Sequence, residues 1–416
     1  MPVAPLNVLW MIDHVCYDGS LHGGGRLFWN ILSQFDPAKV RVVPCILRAN
    51  ETLRSLFKDA PIPVRILDKG KFDPTTLTAV LDIIKEENID VMHLHCYASS
   101  TFGRLAGLLT GVPTIIHDYD TEVYFPYPSY LKLADWLLAP MTQGAVAASP
   151  MVKHFLMHKR KIDERKIRMM FHAVPDEKFQ TAKDDSTAKH DSLRVKARLG
   201  IKEQTRVMGT VTKLGPQRGN ELLIEAFSKV AIARPNSALV LLYKLTRFHR
   251  LPSKKYVEVA QSDLDNAVDR LRSLAQKLGV ADKVHLVEWP DDIDSWADTF
   301  DVFVAPFLSD RFSSVYLIEA MAKQQPVVAT NLGEAKEIVQ NGKNGYLVPP
   351  GDAQALADAV LAIMQSDESL AAFSAQARRD ATKYSVSAYV RSLQNWYTEL
   401  ALADAQTQPS LAEVTK

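Results

Sequence analysis

Residues 206–233 read RVMGTVTKLGPQRGNELLIEAFSKVAIA. Arg206–Val211 is a short run without polar alternation, as in a strand buried on both faces. Leu222–Ala233 places its apolar residues at helical spacing. Between them lies Thr212-Lys213-Leu214-Gly215-Pro216-Gln217-Arg218-Gly219, a tight loop with two cations. Strand, loop and helix in that order form the unit of a parallel α/β sheet. Ligands in such sheets bind beyond the carboxyl ends of the strands.

The same unit recurs on both sides. Downstream strands are expected at Ala238–Leu242, Val284–Val287, Val302–Ala305, Val327–Ala329 and Tyr346–Val348, with helices at Leu264–Leu278, Val315–Lys323 and Ala353–Gln365. Upstream strands are expected at Val8–Ile12, Val40–Leu47, Val91–Leu94, Thr114–Ile116 and Ala145–Ala148, with helices at Leu27–Phe35, Leu77–Glu86 and Phe102–Leu109. Thr181–Asp191 is polar and reads as a linker or exposed loop. The sequence therefore predicts an α/β protein of two Rossmann-like doubly wound domains. The expected divisions are 1–180, a linker at 181–204, 205–380, and a C-terminal helix and tail at 381–416. That last part reads as continuous helix from Asp367 to about Leu402, crossing back to the first domain with Trp396 and Tyr397 as anchors.

Length and composition agree with two globular domains: 416 residues, 47% hydrophobic and 23% charged. The net charge of +1 gives no global field for nucleic acid. Cys16, Cys45 and Cys96 are too scattered for a disulfide framework, which favours a reducing compartment. No apolar run reaches a membrane span, and Met1–Ile12 lacks a signal-peptide pattern. A cytoplasmic protein is expected, with peripheral contact at the inner membrane face left open, as is oligomeric state.

Three loops suit a phosphate. Lys213 and Arg218 stand on one strand-to-helix loop and can neutralise a diphosphate. Gly23, Gly24 and Gly25 precede a helix, where bare amides and the helix dipole favour an anion. Ser313 and Ser314 read as N-caps of the helix carrying Glu319, whose carboxylate can accept from a diol. No Gly-x-Gly-x-x-Gly or Walker lysine is present, so a nicotinamide or ATP site is unsupported.

Taken in order, these pieces resemble the family 4 retaining glycosyltransferases of the GT-B fold, in which two Rossmann-like domains face a central cleft. Thr212-Lys213-Leu214 with Arg218-Gly219 is similar to the family's Gly-Arg-Leu…Lys-Gly stretch. Ile318–Ala322 with Pro326-Val327-Val328-Ala329 is similar to Leu-Glu-Ala-Met-Ala…Pro-Val-Val, and Asn344–Asp352 to the family's end signature. The resemblance implies that Lys213 and Arg218 grip the donor diphosphate and that Glu319 holds the ribose. It also implies that the Ser313 and Ser314 amides and Gly24 and Gly25 meet the donor, and that His117 lies near the reacting sugar. His285–Pro290 would lie near the base. Three departures stand out. Arg311 occupies the place of the family's first glutamate, with Asp310 one residue earlier, and Phe312-Ser313-Ser314 replaces Gly-Phe-Gly. Tyr243-Lys244 replaces a glycine-rich turn, and Phe171–Pro175 lacks an Asn-Gly pair.

Other groupings have plainer readings. His93 and His95 at a strand end would need a third metal ligand, with Asp118 one candidate; loop histidines are favoured. His154 and His158 read as a surface pair. Asp118, Asp120 and Glu122 suit acceptor hydroxyls or an exposed acidic loop. Tyr124, Phe125, Tyr127, Tyr130 and Trp136 suit a sugar, a lipid-linked acceptor or simple packing. Arg247, His249, Arg250, Lys254 and Lys255 form a basic insertion that reads as a solvated loop or an anionic-lipid or polyphosphate patch.

The resemblance implies transfer from a UDP- or GDP-linked sugar to a saccharide or lipid-linked hydroxyl, without a cofactor. With paired cations able to take the place of a divalent ion at the diphosphate, no metal is expected. Two rivals remain: a catalytically silent GT-B binding subunit, suggested by Arg311, and a sugar-nucleotide epimerase.

Overall fold

A computed structural model of the chain describes residues 4–17, 20–21, 23–49, 51–58, 62–119, 129–180, 186–245, 248–250, 256–258, 261–309 and 314–407. The chain divides into two compact units, Met1–Ala173 with Tyr384–Lys416, and Val174–Lys383.

The first unit is built on a seven-stranded sheet. Its strands are β1 (Leu6–Ile12), β2 (Val40–Ile46), β3 (Arg65–Ile66), β4 (Val91–His95), β5 (Thr114–Asp118), β6 (Gly144–Ala147) and β7 (Ile167–Met169). They lie side by side in the order β3-β2-β1-β4-β5-β6-β7, all parallel. Order reverses between β1 and β4, the switch point at which such sheets bind ligands. Strand residues are apolar on both faces because both are covered. Val8, Trp10 and Ile12 pack with α1 (Gly23–Leu32) and with Tyr389, Leu393 and Tyr397 of the final helix. Leu9 and Met11 pack on the opposite face against α2 (Thr75–Glu87) and α3 (Tyr97–Thr110).

The second unit repeats the plan with β8 (Arg206–Lys213), β9 (Ser237–Lys244), β10 (Val284–Glu288), β11 (Val302–Ala305), β12 (Val327–Thr330) and β13 (Gly345–Val348). The order is β10-β9-β8-β11-β12-β13, again parallel, and reverses between β8 and β11. Its loops lead into α4 (Asn220–Ala233) and α5 (Val315–Ala322).

Two segments differ from the sequence expectation. The stretch 181–204 contains a 13-residue helix, Ser186–Arg198, inside the second unit. The C-terminal helix is not continuous: Asp367–Ala381 ends in a 3-10 turn at Thr382–Tyr384 before α6 (Val386–Thr407) begins. The break falls where the chain leaves the second unit and re-enters the first, and α6 runs past the expected Leu402.

Candidate functional site

In the second unit the loops leaving β8 and β11 are tied together at the switch point. Leu308 N donates to Gln217 O (3.0 Å) and Ser309 Oγ to Gln217 Oε1 (3.2 Å). Gly219 has φ +67°, and a Cβ there would lie 1.9 Å from the Pro306 carbonyl oxygen, so only glycine fits. Asn220 Nδ2 donates to Lys213 O at 3.3 Å and closes the loop from within α4.

This frame carries both expected cations. Lys213 is exposed at the end of β8, in register with Lys244 of β9. Lys244 Nζ lies 5.8 Å from the centroid of the Trp289 ring. Trp289 is fixed by its N–H to Tyr243 O (2.8 Å) and meets the Tyr316 ring at 6.0 Å. Arg218 is half-buried over the Phe307 ring, 5.6 Å from its centroid. Burial lowers its pKa, and among the described residues no carboxylate holds it in an ion pair. A charged guanidinium at a switch point without a counter-ion suits an anionic ligand. Glu319, in the second turn of α5, lines a small cavity with Tyr316, Val211 and Phe303. Lys244 was not singled out as a cation from sequence, because only strand register brings it beside Lys213.

Ser314 departs from its expected role. Its backbone N–H donates to Glu334 Oε2 at 3.2 Å and its hydroxyl donates to the same oxygen. A buried carboxylate thus holds the amide that was expected to meet the donor. Burial, opposed by these bonds, pushes the Glu334 pKa up to about 7. Nothing in the sequence pointed to Glu334. Asp310, Arg311 and Ser313 lie outside the described residues, as do Asp120, Glu122, Tyr124, Phe125, Tyr127, Arg247, Lys254 and Lys255.

In the first unit Gly24 and Gly25 belong to the opening turn of α1 rather than to a preceding loop. A Cβ on Gly25 would lie 2.1 Å from the Val15 carbonyl oxygen, so close packing also demands this glycine. The N-terminus of α3 is already taken: Asp13 accepts from Ala98 N (3.0 Å), Ser99 N (2.7 Å) and Ser99 Oγ (2.7 Å).

His117 lies within β5 and is wholly buried with His93 and His95 of β4. Strand register sets His95 beside His117 and His93 beside Trp10. His93 Nε2 lies 3.2 Å from His117 Nδ1, His93 Nδ1 lies 2.5 Å from Tyr397 Oη, and His95 Nδ1 lies 2.8 Å from Tyr119 Oη. Desolvation, reinforced by the neighbouring rings, holds all three pKa values well below 6.5, so the rings are neutral. Among the described residues this is the one grouping with metal-ligand proximity. The rings of His93 and His95 stack at 4.5 Å and 12°, so their in-plane lone pairs run alongside each other and do not converge on an ion. Hydrogen bonding fits the cluster better than coordination.

Asp118 is not available as a metal ligand or acceptor contact. Arg160 Nη1 donates to both its oxygens at 2.9 Å. Arg160 also pairs with Asp135, which pairs with Arg104, and all four side chains are wholly buried. His154 and His158 are an exposed ring pair with centroids 4.1 Å apart and, among the described residues, no third ligand. His249 and Arg250 fall on a short antiparallel strand pair, Phe248–Arg250 with Tyr256–Glu258. Trp136 is half-exposed, beside exposed Leu133 and Leu137 on the helix Ser129–Leu137. Trp136 itself is therefore not packed into the core.

Residues 22–178 match the family described as Glycosyltransferase Family 4, and residues 191–380 match the family described as glycosyl transferases group 1. The chain belongs to the family 4 glycosyltransferases. It is 24% identical over 299 residues to the UDP-Gal:alpha-D-GlcNAc-diphosphoundecaprenol alpha-1,3-galactosyltransferase of Escherichia coli, covering 70% of each chain. It is 23% identical over 372 residues to the D-inositol 3-phosphate glycosyltransferase of Corynebacterium glutamicum, covering 85% of this chain and 84% of the relative. The Anabaena HepE structure in complex with UDP superposes with a TM-score of 0.73 at 17% identity, over 95% of this chain and 100% of that one. That likeness shows the fold, the two-Rossmann GT-B architecture.

Proposed function

We propose that this glycosyltransferase moves a sugar from a nucleoside diphosphate donor to a hydroxyl of a glycolipid or polysaccharide intermediate, with retained configuration and without a metal. The observation that carries the reading is Arg218, half-buried at the second unit's switch point, without a carboxylate partner among the described residues and sharing its loop with Lys213. As the C1–O bond breaks, negative charge grows on the leaving diphosphate and the sugar becomes oxocarbenium-like. Fixed cations stabilise that charge without reorganising. Glu319 accepts from the ribose hydroxyls, and Trp289 offers a flat face to the base. The departing phosphate oxygen takes the acceptor's proton, so no protein base is needed.

HepE in complex with UDP supports a uridine donor, with GDP-linked sugars the alternative. The diphosphoundecaprenol named for the Escherichia coli relative, and the exposed Leu133, Trp136 and Leu137, support a lipid-linked acceptor near a membrane surface. Among the described residues no helix is long and apolar enough to cross a membrane. The test is a donor screen with UDP- and GDP-sugars in the presence of chelator, with product anomers read by NMR. Transfer with retention is expected. Nucleotide binding without turnover on any donor would instead favour a silent binding subunit, the reading that Arg311 suggests.

A further inference from the structure

Trp10, Tyr397, His93 and His117 form an unbroken buried line across one face of the first unit's sheet. Trp10 Nε1 lies 2.8 Å from Tyr397 Oη, which lies 2.5 Å from His93 Nδ1, and His93 Nε2 lies 3.2 Å from His117 Nδ1. The four side chains are essentially without solvent contact. The His93 and His117 rings are 26° apart with centroids at 5.3 Å, close enough to coplanar for an in-plane bond.

The polarity of the line follows from its first member. An indole N–H only donates, so Tyr397 Oη accepts from Trp10. The phenol proton then needs an acceptor, and His93 Nδ1 is the atom within reach. If His93 Nδ1 carried a proton instead, the phenol hydrogen would be orphaned deep in an apolar face, the costlier arrangement. A neutral His93 with a bare Nδ1 carries its proton on Nε2 and donates to His117 Nδ1. A neutral His117 with a bare Nδ1 carries its own proton on Nε2. Among the described residues that Nε2 has no hydrogen-bond partner.

We propose that Tyr397 and His93 are positioning residues that lock His117 as the Nε2–H tautomer, so that its Nε2, shut off from solvent in this structure, can meet an oxygen of the bound sugar only as a hydrogen-bond donor and not as a base. The sugar as recipient rests on the glycosyltransferase reading; the tautomer does not. The relay gives α6 a role beyond packing, since it delivers Tyr397 from 304 residues away to His93. It also removes His117 as the group that takes the acceptor's proton, in keeping with a leaving phosphate that does so.

The test is long-range 15N–1H correlation on the full chain labelled at histidine, in the native protein and three variants. Native His93 and His117 should both appear as neutral Nε2–H tautomers. Tyr397→Phe keeps the ring and its packing but removes the hydroxyl, and His117 should then populate the Nδ1–H form. His93→Leu should do the same. His93→Gln can place an amide N–H near the lost Nε2–H and should restore the native His117 tautomer. In transfer assays Tyr397→Phe and His93→Leu should lower kcat by about three- to tenfold, with donor KM within about twofold and His93→Gln recovering most of the loss. An Nδ1–H tautomer at His117 in the native chain, or a His117 tautomer unmoved by both Tyr397→Phe and His93→Leu, would overturn the relay. The assigned tautomers in a chain that transfers no sugar would support the relay and count against the glycosyltransferase reading.

Discussion

Lys213 and Lys244 stand in register at the carboxyl ends of neighbouring parallel strands, and Lys244 Nζ lies 5.8 Å from the centroid of the Trp289 ring. With Arg218 on the adjoining loop over the Phe307 ring, the second unit gathers three cations at the carboxyl ends of β8 and β9. Arg218→Ala or Lys213→Ala should reduce transfer at least about tenfold, some 1.4 kcal/mol. Arg218→Lys should fall between wild type and alanine, because an ammonium cannot reproduce a guanidinium fork on two phosphate oxygens. Steady-state kinetics on the preferred donor checks both. Activity within twofold of wild type in both alanine variants would contradict the assignment.

Arg311 stands where the resemblance expects a glutamate facing the transferred sugar. If it is adapted to a particular donor, Arg311→Glu should lower kcat/KM on that donor. A rise would mark decay of an older site and favour the silent-subunit reading.

Glu334 gives a pH prediction. Its folded pKa of about 7 lies above the ordinary value of 4.5, so the folded state binds the proton more tightly. The stabilisation is full below the unfolded pKa and is lost as pH rises through about 7. The span is on the order of 3 kcal/mol. Glu334→Gln keeps an acceptor for Ser314 and removes the titration. Amide exchange protection in α5 should weaken between about pH 5 and pH 8 in the wild type and stay flat in the variant. Equal slopes in the two proteins would refute this.

The buried quartet Asp118, Arg160, Asp135 and Arg104 is a structural device beside His117. Asp118→Ala leaves Arg160 with one carboxylate instead of two and should destabilise the first unit by about 3–5 kcal/mol. A shift in denaturant midpoint confined to that unit's transition would show it. An unchanged midpoint would mean that Asp118 is not essential to the network.

Much of this fold is readable in the chain because its strands are buried on both faces. Val302–Ala305 and Val327–Thr330 then appear as continuous apolar runs, and the loops after them stand out by contrast. Lys213 and Arg218 are legible for the same reason, as cations between a strand and a helix. Other features depend on register or long-range packing, to which local patterning is blind. Lys244 joins the site through pairing of β8 with β9, Tyr397 reaches His93 from the far end of the chain, and Glu334 reaches Ser314 across 20 residues. The turn at Thr382–Tyr384 is hidden because no proline or glycine marks it. The helix Ser186–Arg198 is polar enough to pass for a linker.

The most direct measurement is calorimetric titration of the full chain with UDP and GDP, in the wild type and in Lys213→Ala/Arg218→Ala. One of the two nucleotides should bind the wild type, and the double variant should lose at least about a hundredfold in affinity, some 2.7 kcal/mol. Equal affinity in both proteins, or no binding of either nucleotide to the wild type, would contradict a diphosphate site at the second unit's switch point.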